Sequence, residues 1–150
     1  ILGSECVGHL GMACAGEVYV VPINYTYTSG RILLHCALEG RKLRMIQQNP
    51  AVCFEVSRQE GPPVEHAGDA CSNGFESVIC WGTARYVEDI PARHRVLVEF
   101  QARYATADRP RDTLAVERAE KCGAVEIVVE RMTGRRRGGD GGPQDWDWQR

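Results

Sequence analysis

Residues Val18 to Tyr27, Val-Tyr-Val-Val-Pro-Ile-Asn-Tyr-Thr-Tyr, are β-branched or aromatic almost throughout. Such side chains are stiff at χ1 and suit a pleated surface better than a helix, so the stretch reads as a strand. Thr28-Ser-Gly30 supplies a turn, and Arg31-Ile-Leu-Leu-His-Cys36 returns as a second strand, which makes a hairpin. Val7 to Cys14 reads as an earlier strand, turned into the hairpin by Ala15-Gly16-Glu17. Three consecutive antiparallel strands make a meander, and with it a β-rich domain.

The pattern beyond residue 36 is a short helix and then more strands. Asn49-Pro50 ends the helix, because the residue before a proline avoids the α region. Ala51 to Ser57 alternates as a fourth strand, its apolar face carrying Ala51 and Cys53 or their neighbours according to register. Residues 59 to 74 carry nearly every loop signal and are expected to be a long, weakly ordered loop. Phe75 to Val87 resumes a strand, in which Gly82 marks a bulge or a close backbone approach. Asp89 and Pro91 open a helix to about Ala105 with Val96, Leu97 and Phe100 on one side, and a second short helix is expected between Asp112 and Lys121. Ala124 to Met132 alternates Val125, Ile127 and Val129 against Glu126, Val128 and Glu130, and so predicts a strand at a sheet edge or half-exposed. The division expected is a domain over residues 1–134 followed by an Arg/Gly-rich tail over 135–150. That tail has a linker's composition, yet it leads to Trp146 and Trp148, and tryptophans in solvent usually find a partner.

The short helix starts with the wrong charge. Free N–H groups and the macrodipole make a helix N-terminus positive, where acidic residues belong. Here the opening residues are Gly40, Arg41 and Lys42. Two cations in a first turn are either ordinary solvated charges or partners of an anion, and a helix N-terminus is the usual place for a phosphate.

Composition excludes several classes. The 150 residues suit one domain able to bury its own core. A net charge of -2 gives no general attraction to nucleic acid or to an anionic membrane, so Arg135-Arg136-Arg137 is not read as an RNA-binding segment. No apolar run approaches the roughly 20 residues that span a bilayer, and the first residues lack a basic signal-peptide region. The chain reads as cytoplasmic, although it opens at Ile1 rather than Met and what precedes that residue is open. Seven cysteines without regular spacing fit reduced thiols, with Cys14, Cys36, Cys53 and Cys80 in or beside strand patterns. No zinc-ligand spacing is present, so no metal is expected, and His66 with Cys71 is the one pair to check.

The ordered combination Val21-Pro-Ile-Asn-Tyr25, tight turn, strand ending at His35, Glu39-Gly-Arg-Lys-Leu43 and Asn49-Pro-Ala-Val-Cys-Phe-Glu-Val56 resembles the pyridoxamine 5′-phosphate oxidase-like flavoproteins. Within that superfamily it is most similar to the nitroimidazole-resistance branch. The resemblance is close over residues 7 to 58 and looser through Gly82 to Met132-Thr-Gly134. It implies a mainly β fold, a six-stranded split β-barrel with a few short helices, forming a homodimer with FMN between protomers. By that resemblance Arg41 and Lys42 hold the FMN phosphate, Gly40 lets the backbone approach, and Val20, Val21, Pro22, Ile23 and Asn24 lie against the flavin ring. His35 falls close to the cofactor and is the one candidate for a catalytic residue; its alternative is a histidine satisfied by a backbone carbonyl. Trp81 and Gly82 are either core or flavin-facing residues of a partner subunit. The residues that bind the substrate phosphate in true pyridoxamine phosphate oxidases are not recognisable, nor is their C-terminal Arg/His motif.

Two functions follow. The first is an FMN-dependent oxidoreductase, in which the cofactor carries the electron chemistry, reduced nicotinamide is the donor and a small electron-poor molecule such as a nitroaromatic is the acceptor. The second is a carrier of FMN or haem without turnover, with His35 as the axial iron ligand. A deazaflavin is the further alternative cofactor.

Overall fold

The structure, a computed structural model, describes residues 1–65, 71–106, 114–137 and 144–149. Its elements in chain order are β1 (Val7–Cys14), β2 (Glu17–Thr28), β3 (Arg31–Cys36), α1 (Arg41–Gln48), β4 (Ala51–Glu65), β5 (Cys71–Tyr86), α2 (Ile90–Arg103), α3 (Glu117–Lys121), β6 (Gly123–Arg137) and β7 (Gln144–Gln149). All pairings are antiparallel, in the order β3-β2-β1-β4-β5-β6-β7, and a β3–β6 ladder closes the first six strands into a ring. Closure removes the free edges that β1 to β6 would otherwise expose over the paired length.

Side-chain alternation sorts each strand into a barrel-facing and an outward set. Leu10, Tyr25, Ile32, Leu34, Phe54, Val56, Val125 and Val129 are completely buried. The Phe54 ring meets Tyr25 edge to face at 5.1 Å. Leu43, Met45 and Ile46 of α1 join the same cluster, so that helix packs on the barrel core. α2 lies on the outside instead: Val96, Leu97 and Phe100, the stripe expected from sequence, form a second cluster with Leu33. The Thr26 hydroxyl donates to the Phe100 carbonyl at 3.1 Å beneath that helix.

Buried charges tie the second layer down. Glu126, only 3% exposed, accepts from Arg31 at 2.7 Å and from Arg85 at 2.7 Å, and Arg31 also reaches Glu99 of α2. Arg93, 7% exposed, donates to the carbonyls of Val87, Glu88 and Ala119, joining α2 to the segment that carries α3. Arg103 donates to Leu2 O at 2.9 Å, and the Tyr25 hydroxyl donates to the same carbonyl at 3.0 Å, so the N-terminal segment is held against the barrel.

Several local expectations change. The long loop expected over 59–74 is mostly strand, because β4 runs to Glu65 and β5 begins at Cys71, with a register shift between Glu60 and Val64. Pro62 and Pro63 fall inside that shift, between the pair Glu60 with Gly74 and the pair Val64 with Ser72, where the β5 ladder is interrupted and no N–H is required of them. Residues 66–70 lie outside the described residues, and the check on His66 with Cys71 therefore lies there too. The strand from Ala124 is not at an edge. β6 sits between β5 and β3, and Glu126, expected to be half-exposed, is 3% exposed with Arg31 and Arg85 on its carboxylate. β6 also continues through residue 134 to Arg137, and β7 returns against it, pairing Trp148 with Met132 and Trp146 with Gly134. Asp145 and Asp147 pair with Arg135 and Arg131, while Trp146 and Trp148 stay 52% and 44% exposed. Of the helix expected over 112–121, Glu117–Lys121 is helical, and residues 107–113 lie outside the described residues.

Gly82 meets the expectation of a close approach. Between Trp81 and Gly82 the register shifts by one extra residue on β6, Glu130, and a Cβ at residue 82 would run into the Val128 carbonyl of β6.

Candidate functional site

β2 and β3 leave the hairpin turn side by side, and their outward positions form one continuous surface. Pairing Tyr25 with Leu34 and Thr26 with Leu33 brings Asn24 alongside His35 at the next register position. α2 covers this surface over Thr26 and Leu33 and stops short of Asn24, Pro22, Val20 and Val18, all of which are exposed. The uncovered part is unusually apolar: Val18 is 75% and Val20 58% exposed, with Val7 of β1 at 48%.

A cavity of about 340 Å³ opens where the covered and bare parts meet. Asn24 and His35 line it from the strands; Leu97, Phe100 and Gln101 line it from α2 and Tyr104 from its C-cap; Leu114, Arg118 and Cys122 form the far wall. The His35 ring packs 4.7 Å from Phe100, centroid to centroid, and Phe100 lies 5.1 Å from Tyr104. Tyr104 is fixed by its own hydroxyl, which donates to Tyr25 O at 2.5 Å, and the Asn24 amide donates to Cys6 O at 3.1 Å. No backbone carbonyl satisfies His35 among the described residues.

The local field is positive. Burial first, then the charges of Lys42 and Arg118, lower the His35 pKa, so the imidazole is neutral at neutral pH with one nitrogen a donor and the other an acceptor. Lys42 is half-buried, and desolvation lowers its pKa too, with no carboxylate among the contributing groups. It makes no ion pair among the described residues. The Cys36 thiol is pushed up, chiefly by burial, and so carries no thiolate to neutralise that field.

α1 begins as the charge pattern predicted. Its N-cap Gly40 has φ 144°, a conformation open to glycine; no side chain caps the helix, and no acidic residue occupies its first turn. The first helical bond runs from the Arg44 N–H to the Gly40 carbonyl at 3.1 Å, leaving the preceding amides without helical partners. Gly40, Arg41 and Lys42 therefore present free N–H groups and a lysine ammonium together, a donor set suited to a phosphate.

The expected site residues separate into groups. Asn24 and His35 meet in the cavity, with Lys42 near enough to act on His35. Arg41 faces elsewhere: its guanidinium stacks over Tyr19 at 4.5 Å and pairs with Glu17. Val20 and Pro22 belong to the bare outer surface, whereas Val21 and Ile23 turn inward against the core. Trp81 is partly buried on β5, with Arg131 over its ring at 4.8 Å. Sequence reading missed Arg118, Gln101 and Tyr104. Leu97 and Phe100 were recognised as a helix stripe, and the spacing that marks a packing stripe does not reveal that one turn also walls a cavity.

A family profile described as pyridoxamine 5′-phosphate oxidase matches residues 1–136. The chain belongs to that family. Among curated proteins none matches the chain. Solved structures do. A candidate 5-nitroimidazole antibiotic resistance protein from Bacteroides thetaiotaomicron is 27% identical with a TM-score of 0.74, over 89% of this chain and 78% of that one. An FAD-binding protein from Mycobacterium smegmatis is 26% identical with a TM-score of 0.55, over 90% and 87%. A flavocytochrome from Azotobacter vinelandii shares the fold at 17% identity, with a TM-score of 0.77 over 100% of this chain and 75% of that one.

Proposed function

We propose that this member of the pyridoxamine 5′-phosphate oxidase family binds FMN and uses it as an oxidoreductase toward a small electron-poor molecule, a nitroaromatic being the first to try. The observation that carries the reading is the α1 N-terminus: a helix start with no acidic residue and no side-chain cap, beside a half-buried Lys42 that no carboxylate among the described residues neutralises. The cofactor, when bound, supplies hydride or electron transfer, with reduced nicotinamide as donor.

The chain's own residues then have distinct tasks. Lys42 and the free amides at Gly40, Arg41 and Lys42 hold the phosphate, and Arg41 joins them by leaving Glu17. Val20 and Pro22 give the flavin ring an apolar surface, to which Val21 and Ile23 contribute backbone alone. Asn24 and His35 supply donors and acceptors at the cavity. His35, neutral and without a hydrogen bond among the described residues, would hold or hand over a proton at a ring nitrogen.

A homodimer belongs to the same reading, because the bare stripe of Val7, Val18 and Val20 beside this site is suited to burial by a second copy. Val18→Asp with Val20→Asp is expected to yield a monomer by light scattering; a variant as dimeric as the wild type would remove that surface from the interface. Cytoplasmic location accords with the six unpaired cysteines among the described residues, and no described helix is long and apolar enough to cross a membrane.

The test is the absorption spectrum of the purified protein with FMN and then with reduced nicotinamide under anaerobic conditions. A bound flavin spectrum that bleaches, and recovers on adding a nitroaromatic, supports the proposal. Indifference to FMN with a Soret band on adding haem, lost in His35→Ala, would replace it with the carrier reading.

A further inference from the structure

The wall of the cavity opposite the strands is a short segment pinned at two points. The His94 ring on α2 bonds the Leu114 carbonyl at 2.7 Å, and the Arg93 guanidinium donates to the Ala119 carbonyl at 2.9 Å. Arg118 lies between these pins and lines the cavity. Among the described residues it makes no ion pair, and no Asp or Glu lines the space with it. Arg118 is itself exposed to solvent, and it brings to a largely apolar, aromatic-walled space a guanidinium that no described carboxylate occupies, so an anion entering the space can pair with it. Phe100, Tyr104 and the His35 imidazole supply ring faces around it, and Leu97 and Leu114 the apolar remainder. At about 340 Å³ the space is at the small end of ligand sites, which run from about 300 to 1,000 Å³.

We propose that this cavity selects a single-ring aromatic carboxylate, the ring between the aromatic walls and the carboxylate on Arg118. This deepens the proposed function and rests on it in one respect: the aromatic carboxylate is the class of substrate that the flavoprotein would take. Lys42 does not line the cavity, so phosphate and carboxylate engage different cations, one at α1 and one at the α3 segment. Gln101 and Asn24 remain as neutral hydrogen-bonding groups to orient further substituents on the ring.

Isothermal titration of the purified protein with benzoate and with its neutral isostere benzamide, each with and without saturating FMN, tests the assignment. Benzoate is expected to bind at least tenfold more tightly than benzamide in both conditions. Arg118→Gln should abolish that preference while leaving benzamide affinity unchanged, and Arg118→Lys should restore part of it. Gln101→Glu, which sets a carboxylate on the facing wall, should weaken benzoate alone. Equal binding of the two probes, an unaltered preference in Arg118→Gln, or benzoate displaced by FMN would each overturn the proposal. FMN binding is read separately from flavin fluorescence. A benzoate preference without FMN binding would leave the anion site standing and remove the flavin reading, whereas FMN binding without the preference would do the reverse.

Discussion

Replacing Lys42 by Met separates a cofactor-binding residue from a structural one, because the two roles move the folded protein in opposite directions. Lys42 is half-buried, faces His35 and Cys36, and meets no carboxylate, so burial disfavours its charge and lowers its pKa. A base whose folded pKa lies below its unfolded value penalises folding at low and neutral pH; the penalty is relieved as pH rises through the folded pKa toward the ordinary lysine range. Met keeps the apolar stem and discards the ammonium. The cofactor-free protein should therefore melt at the same temperature as wild type or higher, the difference closing as pH is raised. Affinity for FMN should fall. A charge-assisted hydrogen bond to phosphate contributes about 1.5–3 kcal/mol, so the dissociation constant should rise roughly 10- to 150-fold. Arg41→Ala should cost less, since Arg41 must first leave Glu17 and the Tyr19 ring. Scanning calorimetry of the cofactor-free proteins and fluorescence titration with FMN give both quantities. A Lys42→Met protein that melts well below wild type, or binds FMN undiminished, would refute the reasoning.

Three further outcomes follow from the packing. Glu126→Gln removes the charge that Arg31 and Arg85 share; breaking a fully buried pair costs about 3–5 kcal/mol, and because both arginines keep contact with water the loss expected here is about 2 kcal/mol in urea unfolding at pH 7. Those arginines, against the opposing effect of burial, hold the Glu126 carboxyl below its usual range, so its contribution is complete above about pH 4.5 and lost as pH falls through the folded pKa; the gap between wild type and variant should close there. Phe54→Ala, at a completely buried position against Tyr25, should lose about 3–5 kcal/mol by the same measurement, with under 1 kcal/mol pointing to a collapsible site instead. The His35 ring protons in an NMR titration should show a midpoint below about 6.5, moving up in Arg118→Gln as one repelling charge is removed.

The strands of the barrel were legible because each is specified locally. β1, β2 and β3 carry their alternation and their turns within a few residues, and α1 announces its end at Asn49-Pro50. Gly82 was legible for a similar reason, as one residue whose missing side chain has a single structural use. What could not be read depends on distant partners. Pro62 and Pro63 signal a loop in isolation, yet they sit within a strand, at its register shift against β5. Glu126 alternates with apolar residues, and nothing near it in sequence says that Arg31 and Arg85 will bury its carboxylate, with Arg31 reaching on to Glu99 of α2. The candidate site divides along the same line. The charge anomaly at Arg41-Lys42 is local, and so it was visible. That Arg41 turns to Glu17 while Lys42 remains unpaired is tertiary, as is the arrival of Arg118, more than eighty positions along the chain from His35, at the same cavity.

One sheet surface explains why these features are adjacent. The outward residues of β2 pass from Thr26, sealed beneath α2, through Asn24 at the cavity, to Pro22, Val20 and Val18 in solvent. α2 ends at Arg103, and there the chain is fastened: Arg103 bonds the Leu2 carbonyl and Tyr104 the Tyr25 carbonyl. The same contacts that hold the N-terminal segment thus set how much of the sheet is bare. Cutting one of them should act on the site before it acts on the barrel. Tyr104→Phe keeps the ring against Phe100 and deletes the hydroxyl bond, about 1 kcal/mol of stability. Its expected signature is faster hydrogen exchange over the last turn of α2 and weaker benzoate binding, with the amides of β1 to β3 unchanged. Equal acceleration throughout the barrel would show instead that the end of α2 is part of the core's cooperative unit and does not independently set the limit of the site.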